Sequence, residues 1–279
     1  MPTNLLCSET DSGTLSVMIP VHNEERTIGT VLRKVLLLGG LIKEIIVVDD
    51  ASRDETVAII EEEMHNDGRI RLFRHDTNQG KTAAIRTALQ HVRGEILIVQ
   101  DADLEYDPED IPDVISPILK GQADVVYGSR FLRRKDSRVQ YLMHYLANIG
   151  LTRFSNLFTG RRMSDMETCY KAFRAGVLKP LRITSRGFGM EVEITALMSR
   201  TRARTFEVPI SYHGRSYKEG KKIRFRDGVM AGFYILWYNL VAPWFPATRV
   251  YVATVNEYLR KEPSLQIPQQ EQVSELQAA

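Results

Sequence analysis

The chain has 279 residues, 43% of them hydrophobic and 26% charged, which is an ordinary globular composition with ample material for one large domain. Its two cysteines, Cys7 and Cys169, exclude a disulfide framework and suit a reducing compartment. The net charge of +2 hides an asymmetry: residues 1–129 hold 12 Lys/Arg against 23 Asp/Glu, and residues 130–226 hold 22 against 7. An acidic half suited to a cation is thus followed by a basic half suited to an anionic partner, whether phosphorylated substrate, anionic membrane or nucleic acid.

Residues 1–13 are polar, with no basic n-region and no long apolar core, which predicts a loose tail and no signal peptide. Leu15–Pro20 reads as the first strand. Asn23 is placed to cap a helix reaching about Leu38, which Gly39-Gly40 would stop. Glu44–Val48 reads as a second strand ending in Asp49-Asp50, and Ser52 and Glu55 have capping-box spacing for a helix to about Met64. Arg69–His75 alternates apolar with charged residues, as an edge strand does. Gly80-Lys81 precedes a helix ending near Arg93-Gly94, and Ile96–Val99 is an apolar run fitting a strand buried on both faces. This alternation implies a parallel sheet with right-handed crossovers. Asp107-Pro108 opens a further helix, and Ala123–Gly128 a further strand. Beyond it come a basic loop at 129–138, a helix at 139–158, a turn entering a strand at Asp165–Phe173, a helix at Gly189–Arg200 and a strand at Thr205–Ile210. There is no internal repeat.

The segment the rest is organised around is Glu95–Pro108, with Asp101-Ala102-Asp103 within it. Two carboxylates one residue apart follow a buried strand, where open α/β sheets bind ligands. Such close like charges call for a cation, and Mg²⁺ or Mn²⁺ typically takes one or two carboxylates plus substrate phosphates. Glu105 adds a third carboxylate. The competing reading is a loop of capping aspartates.

Residues 215–226 are strongly basic, and residues 229–247 contain no charge. That uncharged run has about the length of a membrane span, but Gly232, Asn239, Pro243 and Pro246 interrupt it and six aromatics suit an interface. Two readings stand for it: an in-plane membrane anchor, or a core helix packed on the sheet. Residues 263–279, rich in Gln, Pro and Glu, are expected to be disordered.

The stretches IPVHNEERTI, VVDDASRDET, the Gly80-Lys81 turn and IVQDADLEY together resemble the family 2 glycosyltransferases, whose fold is the Rossmann-like GT-A type: a mostly parallel sheet flanked by helices. YGSRF (127–131), DMETCYKAF (165–173), GFGMEVEIT (187–195) and RSYKEGK (215–221) resemble the branch containing dolichol- and polyprenyl-phosphate mannose and glucose synthases. The resemblance covers about residues 14–228, read as the catalytic domain, with a helical and amphipathic C-terminal extension over 229–262.

The resemblance implies a set of roles. Pro20, His22, Glu24, Val48 and Asp50 would contact the donor nucleotide. Lys81 and Asp101-Ala102-Asp103 would hold the diphosphate, with Asp103 the first metal ligand and Asp101 and Glu105 beside it. Arg130, Arg215 and Lys221 would bind donor or acceptor phosphate. A Mg²⁺ or Mn²⁺ cofactor is implied, as are a nucleotide-sugar donor, a polyprenyl phosphate acceptor and inversion at the anomeric carbon. If the acceptor is instead a hydroxyl, a carboxylate base is needed, with Asp165 first and Glu167 second. Glu191 and Glu193 match the family too, as catalytic or structural residues. The expected location is the cytoplasmic face of a membrane, held by lipid or by a membrane protein. Nucleic acid is not expected, because the basic residues lie near the substrate motifs and not in one stripe with exposed aromatics. A catalytically silent scaffold on the same fold is the rival from another class.

Overall fold

In a computed structural model, residues 13–132, 142–214 and 225–265 are described. The strands are β1 (Leu15–Val21), β2 (Ile42–Asp49), β3 (Ile70–Arg74), β4 (Ile96–Val99), β5 (Val125–Ser129), β6 (Lys171–Arg174) and β7 (Thr205–Pro209). They form one sheet in the order β3-β2-β1-β4-β6-β5-β7. All pairings are parallel except those of β6, which runs antiparallel to both β4 and β5. The helices are α1 (Ile28–Leu36), α2 (Thr56–Asn66), α3 (Lys81–His91), α4 (Ile111–Leu119), α5 (Leu142–Thr159), α6 (Ala175–Leu178), α7 (Met190–Met198), α8 (Phe225–Leu236) and α9 (Pro246–Lys261).

Burial follows position in the sheet. All four residues of β4 are buried, as an apolar run flanked by strands on both edges requires. The alternating β3 does lie at the edge, with only Ile70 buried.

Two helix starts differ from expectation. α1 begins at Ile28, five residues beyond Asn23, and α2 begins at Thr56, one residue past Glu55. The polar residues read as caps stitch loops together instead: Ser52 Oγ accepts the Asn23 N–H at 2.9 Å, and Asn23 Oδ1 accepts the Arg53 N–H at 2.8 Å. Asp54 takes the N–H of Thr56. The Asp107 reading holds: its side chain accepts the Glu109 N–H ahead of a 3₁₀ turn at Pro108–Asp110 that runs into α4.

Residues 229–247 form a helical segment that packs on α7, where the core-helix reading placed it on the sheet. α8 passes into a π-helical turn (Trp237–Val241), a 3₁₀ turn (Ala242–Trp244) and then α9. Ala231 and Ile235 pack with Met166 and Val192, and Tyr238 and Ala242 pack with Ala196, so one face closes over α7. The opposite face leaves Val229, Phe233, Trp237, Leu240, Trp244 and Phe245 exposed. Among the described residues no helix is long and apolar enough to cross a membrane.

Candidate active site

β1 lies between β2 and β4, and the chain reaches β2 in one direction and β4 in the other, so the sheet changes direction at β1. Open α/β sheets bind ligands at such a point, outside the carboxyl ends of the strands. Val21 is level with Asp49, and the Asp50 N–H bonds the Val21 carbonyl, so the loops after β1 and β2 leave side by side. Each of the loops after β1, β2 and β4 contains one non-glycine residue with positive φ: Asn23 (54°), Ala51 (61°) and Leu104 (58°). Among the described residues these are the only ones. Such conformations cost about 1–3 kcal/mol each and persist where the surroundings fix them, typically at functional sites. Positive φ at Ala51 and Leu104 has no signal in the residue type, so sequence reasoning passed over them.

Asp50 is buried and organises this end of the sheet. Its Oδ1 accepts the Gln79 N–H at 2.9 Å and faces His75 Nδ1 at 2.7 Å, and its Oδ2 accepts the Gly80 N–H at 2.6 Å. Gly80 adopts φ 89°, which suits glycine, and α3 starts directly after it with Lys81. His22 Nδ1 lies 2.8 Å from the Asp50 carbonyl oxygen. A cleft of about 790 Å³ opens here, lined in part by His22, Asn23, Ser52, Arg53, Arg74 and His75. Pro20 is half-buried, and Glu24 is tied to the second loop through its N–H to Thr56 Oγ1 at 2.9 Å. Val48 is wholly enclosed (0% exposed) and offers no surface to the cleft; it fixes the strand that carries Asp49 and Asp50.

Lys81 reaches from α3 to the carboxylate loop. Its Nζ lies 2.8 Å from Asp101 Oδ1, 3.1 Å from Cys169 Sγ and 3.9 Å from Glu191. Burial works against its charge, but Asp101 and Glu191 outweigh that and hold the ammonium well above its usual pKa. Ala102 is buried, and Asp103 Oδ1 accepts the Glu105 N–H at 3.1 Å. Glu105 is anchored from the other side: its Oε2 accepts the Tyr212 hydroxyl at 2.7 Å and its carbonyl the His213 N–H at 2.9 Å. Among the described residues no three His, Cys, Asp or Glu side chains are grouped to hold a metal by themselves. Small divalent cations seldom ask for that, since substrate phosphates complete their shell. Asp101 and Asp103 supply hard oxygen donors of the right kind.

Arg130, at the end of β5, is clasped by Asp165. Its Nε and Nη2 each lie 2.7 Å from one carboxylate oxygen, and its N–H donates to Asp165 Oδ2 at 3.1 Å. Asp165 is fully buried, and both its oxygens are engaged, so its geometry is that of an orienting partner for the guanidinium. Tyr212 covers the guanidinium face at 5.3 Å and also meets Tyr106 edge-on. Tyr106 in turn accepts the Cys169 N–H at 3.1 Å. Tyr212 and Cys169 thus join the carboxylate loop to its neighbours, and no local pattern announced either. Arg215 and Lys221 lie outside the described residues, as do most of the expected basic loop at 129–138 and the tail beyond residue 265.

The sheet, its direction change and the carboxylate loop after β4 define a GT-A fold. Glucosyl-3-phosphoglycerate synthase from Mycobacterium tuberculosis, crystallised with Mn²⁺, uridine diphosphate and phosphoglyceric acid, has the same fold. It aligns with a TM-score of 0.64 at 20% identity, over 82% of this chain and 79% of that one. Residues 16–182 match the family described as Glycosyl transferase family 2, and the chain belongs to that family. It is 31% identical over 211 residues to undecaprenyl-phosphate 4-deoxy-4-formamido-L-arabinose transferase of Edwardsiella ictaluri, covering 74% of this chain and 62% of that protein. It is 26% identical over 215 residues to dodecaprenyl-phosphate galacturonate synthase of Rhizobium johnstonii, covering 74% and 61%. The match therefore spans less than two thirds of the length of these two relatives.

Proposed function

We propose that this protein transfers a neutral hexose, mannose or glucose, from a GDP- or UDP-linked donor to a polyprenyl or dolichyl phosphate at a membrane surface, with inversion. The observation that carries the proposal is the loop Asp101–Asp103, set at the point where the sheet changes direction and clasped by Lys81. The two relatives named for polyprenyl-phosphate products support the acceptor class.

The nucleoside would lie in the cleft beside His22 and Arg53, with the diphosphate running toward Lys81 and Asp101–Asp103. Asp103 and Asp101 would hold Mg²⁺ or Mn²⁺ together with that diphosphate; when bound, the ion supplies charge stabilisation to the departing nucleotide. Lys81 adds a fixed positive charge where negative charge develops. Arg130, oriented by Asp165, would meet a phosphate, and the family resemblance gives Arg215 and Lys221, which lie outside the described residues, the same part. A phosphate monoester has its second pKa near ~6, so this acceptor is largely dianionic at neutral pH and needs no strong base. What it needs is cations to bring two anions together. The exposed apolar face of α8 to α9 would rest on the bilayer that carries the acceptor.

The test is a transfer assay with labelled GDP- and UDP-sugars, Mg²⁺ or Mn²⁺, and a short polyprenyl phosphate in detergent, with Asp103→Asn as control. Labelled lipid from one donor, absent in the control, is the expected result. Donor hydrolysis without labelled lipid would point to a hydroxyl acceptor, and full activity in the control would remove the mechanism.

A further inference from the structure

The loop that leads into β6 meets the basic residues of the site at both ends. Asp165 holds Arg130, and Cys169 lies 3.1 Å from Lys81, the residue paired with Asp101. Between these contacts stand Glu167 and Thr168. Glu167 Oε1 and Thr168 Oγ1 are both buried, and neither has a hydrogen-bond partner among the described residues. Thr168 is wholly enclosed. Buried polar atoms are nearly always satisfied, so two orphans on adjacent residues need an account. Elsewhere in this loop the polar groups are served: Asp165 by Arg130, the Cys169 N–H by Tyr106, and the Met166 N–H by Thr152 Oγ1.

We propose that Glu167 is a sugar-reading residue, whose unsatisfied carboxyl oxygen hydrogen-bonds a hydroxyl of the transferred sugar between the Lys81–Asp101 pair and Arg130. This rests on the donor-site reading above and deepens it. Four charged groups act on Glu167: Glu191 from α7, Lys171 from β6, Arg130 after β5 and Asp165 in its own loop. Burial, reinforced by Glu191, raises its pKa to about 8. The carboxyl is therefore mostly protonated at neutral pH and offers an O–H donor beside a carbonyl acceptor, a pairing that suits a sugar hydroxyl.

The experiment compares Kd for the nucleotide sugar with Kd for the bare nucleoside diphosphate, in wild type, Glu167→Ala and Glu167→Gln, by titration calorimetry with Mg²⁺ present. Glu167→Ala should weaken the nucleotide sugar by tenfold or more and leave the nucleoside diphosphate within twofold. Glu167→Gln, which keeps a donor and an acceptor, should restore most of the loss. Wild-type sugar affinity should weaken above about pH 8, and the Gln variant should lack that limb. The thermal midpoint should hold or rise in Glu167→Ala, because an unsatisfied buried group is removed, and should hold in Glu167→Gln, which keeps a polar group of the same shape. Equal weakening of both ligands, or a lowered midpoint, would make Glu167 structural and overturn the proposal. Unchanged sugar affinity in Glu167→Ala would overturn it as well, while the donor site stood. Wild type that binds no nucleotide sugar would sink the donor-site reading itself, and this inference with it.

Discussion

Lys81 and Asp101 are twenty residues apart in the chain and 2.8 Å apart in the fold, joined across the point where the sheet changes direction. The lysine is held there from behind. Asp50 fixes the Gln79 and Gly80 N–H groups, and α3 begins at the next residue. A carboxylate in the second loop thereby sets the position of a cation beside the third.

Lys81→Met should therefore lower turnover by about 10²–10³, the usual cost of removing one preorganised group that stabilises developing charge. Circular dichroism should stay native, because the side chain is 29% exposed and the methionine stem replaces its packing. Steady-state kinetics with the preferred donor would check this, and a change below threefold would reduce Lys81 to a counter-ion for Asp101.

Much of this arrangement was legible in the residues. Strands β1, β2 and β4 were readable because apolar runs of their length are buried on both faces, and β3 because its alternation belongs to an edge. The direction of β6 was not, since Lys171–Arg174 is buried throughout and burial carries no polarity of direction. Asn23 and Ser52 were misread as caps because the side chains that cap helices also stitch loops. Asp50, Arg130 and Asp165 stood out individually. Their pairings did not, because the meeting of Asp50 with His75 and Gly80 and the 35-residue reach from Arg130 to Asp165 depend on the tertiary fold.

The Arg130–Asp165 pair is buried on both sides, so breaking it should cost more than replacing it. Asp165→Ala alone strands a guanidinium and should destabilise by about 3–5 kcal/mol. The double variant with Arg130→Met should recover part of that, as a buried ion pair exchanged for apolar groups often does. Urea unfolding of the two singles and the double closes the cycle. Simple additivity would show that the two side chains do not act as a unit.

Asp124 gives a pH prediction away from the site. It is buried and accepts from Arg174 Nη1 at 2.9 Å and from the Arg204 N–H at 2.8 Å. Burial pushes its pKa up, but the bonds from Arg204 and Arg174 outweigh this and hold it below the usual 3.8. A depressed carboxyl contributes stability that is present above its unfolded pKa and lost as pH falls through the folded one. Asp124→Asn should thus unfold at a lower temperature than wild type at pH 7, and the gap should narrow as pH falls below about 4. A gap independent of pH would assign the loss to packing.

The apolar face of α8 to α9 supplies the last prediction. Trp244 and Phe245 are 74% and 50% exposed, and Trp237 and Phe233 continue the face about two and three turns back. Trp and Phe at such a surface favour the headgroup boundary, and the basic run that precedes α8 in the sequence would add attraction to anionic lipid. Replacing both Trp244 and Phe245 by Ser removes apolar surface already in water, so the thermal midpoint should move little. Co-sedimentation with vesicles containing anionic lipid should fall several-fold, and salt should weaken wild-type binding through the electrostatic part. Transfer to a lipid acceptor in vesicles should fall in parallel, while donor affinity in detergent stays constant. Unchanged vesicle binding by the double variant would free this face for another partner and leave the polyprenyl acceptor to reach the site by a different approach.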